Sequence, residues 1–197
     1  MNPVIVSVTG AHSSCGKTLV AELLIRGFKG KWSAIKFSKT DFYTSVKEIT
    51  PPLEDGKDTT RLSLAGGSPV IWVKSPSEQL EEPLRLALSL TGDVEGVVVE
   101  GNSPIEFLSP DVVIFVFGKD IKRIKPSGRR ALKRADLLIA RTPIPEEILS
   151  EKRGVVTVVG SDFTKIAPLL VEKVEGLLRN KLEGERGGNK GGRREAE

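Results

Sequence analysis

One segment near the start of the sequence limits what the chain can become: Val4 to Leu24, VIVSVTGAHSSCGKTLVAELL. A β-branched run, Val4 to Thr9, reads as a short buried strand. It passes through a loop of small residues into a stretch where Leu19, Val20, Leu23, Leu24 and Phe28 recur at roughly helical spacing, predicting a helix from about Lys17 to Phe28. After KGK a second strand is expected around Ser33 to Phe37. Strand, glycine loop, helix and strand form a βαβ opening, which commits the chain to a parallel sheet covered by helices.

Later segments repeat the theme. Apolar runs at 70–73, 96–100, 111–117, 136–140 and 154–160 predict further strands, separated by helical stretches, with a final helix from about Thr164 to Leu178. SPSEQLEEPLRLALSL reads as a helix in which Pro83 either kinks the course or marks the start. Residues 39–58 show no clean period and contain a Pro-Pro pair, so they are expected to be an exposed loop region, followed by a short helix over DTTRLSLAG capped by Asp58 or Thr59. The expected fold is a three-layer α/β fold, its mainly parallel sheet flanked by helices, forming one domain over 1–182. The tail 183–197, with five glycines and mixed charge, is expected to be a disordered polar segment.

Composition narrows the chemistry. Apolar residues make up 39% of 197 and charged residues 28%, with no continuous apolar run of membrane-spanning length, so the expectation is a cytoplasmic protein with no membrane contact. Cys15 is the single cysteine and His12 the single histidine, which excludes an internal disulfide and a Cys/His zinc site but leaves carboxylates able to hold magnesium. The net charge of +4 suits anionic ligands without requiring nucleic acid. Eight Lys and Arg residues do concentrate in GKDIKRIKPSGRRALKRAD, Gly118 to Asp136. With no aromatic residues interleaved for base stacking, nucleic acid is not the expected partner. The segment serves equally as a solvated helix face or as a cover over a nucleotide or phosphorylated substrate.

The loop itself carries the sharpest signal. GAHSSCGKT places five residues between Gly10 and Gly16, one more than the usual four, yet its tail keeps the chemistry of triphosphate binding. Gly16 lets backbone approach phosphate, Lys17 reaches the β and γ oxygens, and Thr18 offers a hydroxyl to Mg2+ at a helix start whose free N–H groups face the anion. Ser13 and Ser14 can add donors, and Cys15 fills the loop. Gly10, Ser13, Ser14, Cys15, Gly16, Lys17 and Thr18 are therefore the expected nucleotide-binding set, and the expected three-layer fold is that of a phosphate-loop (P-loop) NTPase, with residues 1–182 as one nucleotide-binding domain. Two acids stand near strand ends, Asp41 in KFSKTDFY and Glu100 ending VVVE, where a carboxylate is expensive without a ligand. Thr18, Asp41 and Glu100 are the expected metal ligands, and Lys17, Asp41 and Glu100 the expected catalytic residues. Lys36 and Lys39 flank Asp41 and can contact phosphate or an acidic substrate, while Asp58 and Arg61, three apart, can share one helix face.

Taken together, VTGAHSSCGKTLVAELL, KFSKTD, DGKDTTRLSLAGGSPV and GVVVEG resemble the molybdopterin-guanine dinucleotide biosynthesis protein B family over roughly residues 4–101. That resemblance implies a small GTP-binding protein in molybdenum cofactor assembly, often a homodimer working with a partner transferase. The loop spacing is similar to that of dethiobiotin synthetase, an ATP-dependent ligase, which implies a carbamate-type acceptor instead. A guanine-selective Asn-Lys-x-Asp is absent, and LLIARTPIPEE stands in the late strand region, with Arg141 and Thr142 either near a base or capping a strand. The residues thus leave ATP or GTP open, along with the small-molecule or cofactor substrate.

Overall fold

The structure is a computed structural model and describes residues 3–152 and 154–188. The chain runs β1 (Val4–Gly10), α1 (Lys17–Gly27), β2 (Trp32–Lys39), β3 (Ser45–Glu48), α2 (Asp58–Leu64), β4 (Val70–Ser75), α3 (Glu81–Ser89), β5 (Gly96–Glu100), β6 (Val112–Val116), α4 (Pro126–Arg134), β7 (Leu137–Ala140), α5 (Glu146–Glu151), β8 (Val156–Val159) and α6 (Ala167–Gly188). The strands form one sheet in the order β3-β4-β2-β5-β1-β6-β7-β8, parallel except for β3.

Alternation along the strands builds the layers. Val98 of β5, with Ile114 and Val116 of β6, faces the core shared with Val20 and Leu24 of α1, Leu62 of α2 and Leu170 and Val174 of α6. Val97 and Val99 point to the opposite face, against Leu84 and Ala87 of α3. Val113 and Phe115 pack there against Ala131 of α4. Each such buried Val, Leu, Ile or Phe side chain contributes about 1.5–3 kcal/mol. A one-residue slip of register would exchange the two faces of every strand, so the alternation also fixes which residue ends each strand where. The three-layer α/β fold expected from the sequence is the fold observed.

Several local expectations need correction. Residues 45–48 are not loop but an antiparallel edge strand on β4; their short polar pattern, SVKE, carries no burial signal because only an edge is covered. Of the two readings of Pro83, a helix start close by is the one observed and a kink is not: a 3-10 turn covers Ser77–Gln79 and α3 starts at Glu81, so Pro83 lies in the first turn, where its missing N–H has no helical partner to lose. Asp58 opens α2 behind Lys57, and no side chain caps that helix. The last helix continues to Gly188, into the segment assigned to the tail, while 189–197 lie outside the described residues.

Candidate functional site

Sheet register brings the first two functional side chains together. β2 and β5 pair in parallel with Ala34 opposite Val98 and, two residues on, Lys36 opposite Glu100. Ala34 and Val98 face α1 and α2, so Lys36 and Glu100 point to the same side at the carboxyl ends of their strands. There α1 begins. Thr18, its second residue, donates its hydroxyl to Glu100 at 3.1 Å from Oε1 and 3.0 Å from Oε2. Lys36 Nζ lies 2.5 Å from Glu100 Oε1 and 2.7 Å from Asp58 Oδ2, at the start of α2.

This network explains how a carboxylate that is 1% exposed persists at a strand end. An ionised buried acid costs several kcal/mol unless paired and hydrogen-bonded, and Glu100 has both an ammonium and a hydroxyl. Asp58 is more open. Partial burial works against its ionisation, but the Lys36 hydrogen bond and charge, helped by Thr18 and Arg61, hold its carboxyl below the ordinary aspartate value.

The phosphate loop is built from beneath. Asn102, two residues past Glu100, clasps Gly10 from both sides: Gly10 N–H donates to Asn102 Oδ1 at 2.9 Å, and Asn102 Nδ2 donates to the Gly10 carbonyl at 2.9 Å. Cys15 is buried, and a Cβ at Gly10 would stand 2.5 Å from its sulfur. Gly10 and Cys15 thus shape the loop rather than line the cleft. Ser14 sits in the left-handed region at φ 59°, and Gly16 has φ 110° with the Phe163 ring under it. Two left-handed positions absorb the longer loop and leave α1 starting at Lys17. Lys17 Nζ donates to the His12 carbonyl at 2.8 Å.

Above the loop opens a cleft of about 870 Å³. Ser13, Ser14, Gly16, Lys17 and Thr18 form its floor, Lys36, Asp58 and Glu100 one wall, and Lys125, Ser127 and Arg130 another. Seven of the expected site residues therefore meet at or just beneath one loop, with Glu100 beside it. Asp41 does not join them. β2 continues to Lys39, two residues beyond the expected end, so Asp41 falls in the following turn, 69% exposed and 3.3 Å from Lys39. Asp58 stands where Asp41 was expected. His12 packs against Gly118, and Arg141 lies over the Phe163 ring and donates to the Ser161 carbonyl at 2.7 Å. Arg61 lines the cleft but its Nε is 2.5 Å from Glu22 Oε1 of α1.

Sequence reasoning missed Asn102. Its signal was modest: an amide placed just beyond a strand-ending acid and glycine, in EGNS. Among the described residues no three His, Cys, Asp or Glu side chains gather as a self-sufficient metal site. The oxygen donors of Thr18, Glu100 and Asp58 instead fit a cation such as Mg2+, which takes one or two carboxylates and completes its shell with phosphate oxygens and water. No helix among the described residues is long and apolar enough to cross a membrane.

A glycine-bearing loop between a buried strand and a helix, at the carboxyl edge of a parallel sheet, defines the fold of a P-loop NTPase. No family model and no curated protein matches the chain. Among solved structures it is similar to HypB from Helicobacter pylori, whose crystal structure is in complex with nickel. The TM-score is 0.55 over 93% of this chain and 89% of that one, at 14% sequence identity. The likeness is one of fold, and it extends over nearly the whole of both chains.

Proposed function

We propose that the chain is a magnesium-dependent nucleotide-triphosphate enzyme that releases or transfers the terminal phosphate of ATP or GTP. The observation that carries this reading is the hydroxyl of Thr18 turned onto buried Glu100 at the mouth of the phosphate loop. A lone phosphate-binding turn has no use for a buried acid there. Thr18 and Glu100, with Asp58 beside them, would hold Mg2+, which supplies charge neutralisation for the phosphoryl group. Lys17 would face the outer phosphate oxygens, and Lys36 compensates the paired carboxylates while fixing their positions. The resemblance to the molybdopterin-guanine dinucleotide biosynthesis protein B family supports a place in cofactor assembly, with turnover to water or through a partner.

A second reading, ATP-dependent ligase or kinase chemistry of the dethiobiotin synthetase type, is favoured by the reach of the cleft. It extends beyond the loop to Ser77, Ser103 and Ser127, which leaves polar-walled room for an organic acceptor.

Magnesium-dependent binding and phosphate release, measured with ATP and with GTP, test both readings. The parent protein is expected to bind at least one of the two. Lys17→Ala should weaken binding, and Glu100→Ala and Asp58→Ala should reduce the magnesium response. Asp41→Ala should leave that response unchanged. No binding by the parent would sink the proposal, and binding without release, with or without candidate acceptors, would make the chain a nucleotide-binding module.

A further inference from the structure

The basic segment at Gly118 to Asp136 is not a uniform charged surface, because its helix is fastened to the phosphate loop at one end. Lys125 N–H donates to the Ala11 carbonyl at 2.9 Å. Three residues on, Gly128 is buried so closely that a Cβ would stand 2.8 Å from the Ala11 carbonyl oxygen and 3.0 Å from that of Gly10. Asn102, which clasps Gly10, also reaches Ser127 Oγ at 3.3 Å. Three independent contacts thus hold the start of α4 against the first residues of the loop.

The cations around the cleft differ in what they already hold. Lys36 is shared by Glu100 and Asp58, Lys39 is beside Asp41, Arg61 is paired with Glu22 and Arg130 with Glu106. Lys17 rests on a loop carbonyl. Among the described residues Lys125 is the cleft-lining cation whose ammonium has no such partner, although its backbone is the part most firmly fixed to the loop.

We propose that Lys125 is a second phosphate-facing cation, placed by α4 to contact the terminal phosphate of the bound nucleotide opposite Lys17. This rests on the nucleotide reading above. Partial burial, followed by repulsion from Lys17, holds the Lys125 ammonium below the ordinary lysine value, with the Cys15 sulfur acting the other way. Lys17 and Lys125 line one cleft above the loop, and an anion bound there is offered two cationic donors. In hydrolysis a water oxygen forms a new P–O bond as the bond to the β,γ-bridging oxygen breaks. The electron pair leaves with the nucleoside diphosphate, and a water proton is released. Negative charge grows on the departing oxygen, and a fixed cation is worth most at that moment.

The test compares affinities for the non-hydrolysable β,γ-methylene triphosphates and for the diphosphates of adenosine and guanosine, all with Mg2+. Lys125→Gln should weaken triphosphate binding by about tenfold or more and leave diphosphate binding nearly unchanged, since only the terminal phosphate loses a charged donor. Lys125→Arg should restore most of the difference. Gly128→Ala, which keeps Lys125 but pushes α4 from the loop, should show the same selective loss at retained circular dichroism. Equal losses for both nucleotides, or none for either, would overturn the role of Lys125 while leaving the nucleotide reading in place. Failure of the parent to bind any of the four nucleotides would overturn both.

Discussion

The two walls of the cleft are built on opposite electrostatic principles. On the β2, β5 and α2 side, Lys36 lies between Glu100 and Asp58, and each charge has its counter-charge within 2.7 Å. On the α4 side, Lys125 lines the same cleft as Lys17, with no carboxylate partner among the described residues. The first wall is tied together within the chain, one ammonium shared by two carboxylates, so it sets positions and keeps one negative charge in surplus. The second carries surplus positive charge at a point fixed by backbone contacts, and surplus charge at a fixed point selects an anion.

The largest break of that contrast is expected on the carboxylate side. Lys36→Met alone strands Glu100, which is 1% exposed, and should cost about 3–5 kcal/mol in denaturant unfolding. Adding Glu100→Leu should recover most of that stability while nucleotide turnover stays lost, because a well-packed apolar pair can replace an ion pair structurally but not chemically. If the double variant is no more stable than Lys36→Met, the wall is not a coupled unit.

A smaller effect is expected where the two walls join. Asn102→Ala removes both hydrogen bonds to Gly10 and the contact to Ser127, which should cost about 1–3 kcal/mol and weaken nucleotide affinity together with α4-dependent selectivity. Loss of stability with unaltered affinity would mean that the clasp supports the fold but not the loop.

The smallest effect concerns pH. Asp58 has a folded-state pKa below its ordinary value, so its contribution is fully present above the unfolded value of 3.8 and fades as pH falls through the lower folded one. Asp58→Asn should therefore flatten the acid limb of the stability profile below about pH 4 and leave neutral pH nearly untouched. A profile with the same acid limb as the parent would show that Lys36 serves Glu100 alone.

Much of this architecture was legible in the residues because it is enforced by burial. Strand runs such as GVVVE and DVVIFVF have no other economical fate, and Glu100 was conspicuous for standing at the end of one. Lys17 and Thr18 were legible because glycine, lysine and hydroxyl at a helix start define a local chemistry. Asp41 and Asp58 were not distinguishable in the same way. Both are acids in a poorly periodic stretch, and which one meets Lys36 depends on β2 running two residues further and on α2 docking beside it, neither of which leaves a mark in the local sequence. The strand β3 escaped notice for a related reason: an edge strand needs only one neighbour and little apolar content. Lys125 was hidden as one of eight similar charges, and only the docking of the start of α4 on the loop, with Gly128 packed against it, singles it out.

That packing has a use outside this molecule. Position 128 acts as a gauge of distance between helix and loop, because no side chain of any size fits there without moving one of them. In related chains, a larger residue at this point would mark proteins in which the helix stands off and the residue at 125 has been released from the phosphates. Glycine paired with the amide at 102 would mark those that work the same way. A single small position thus offers a criterion for sorting relatives by mechanism before any of them is assayed.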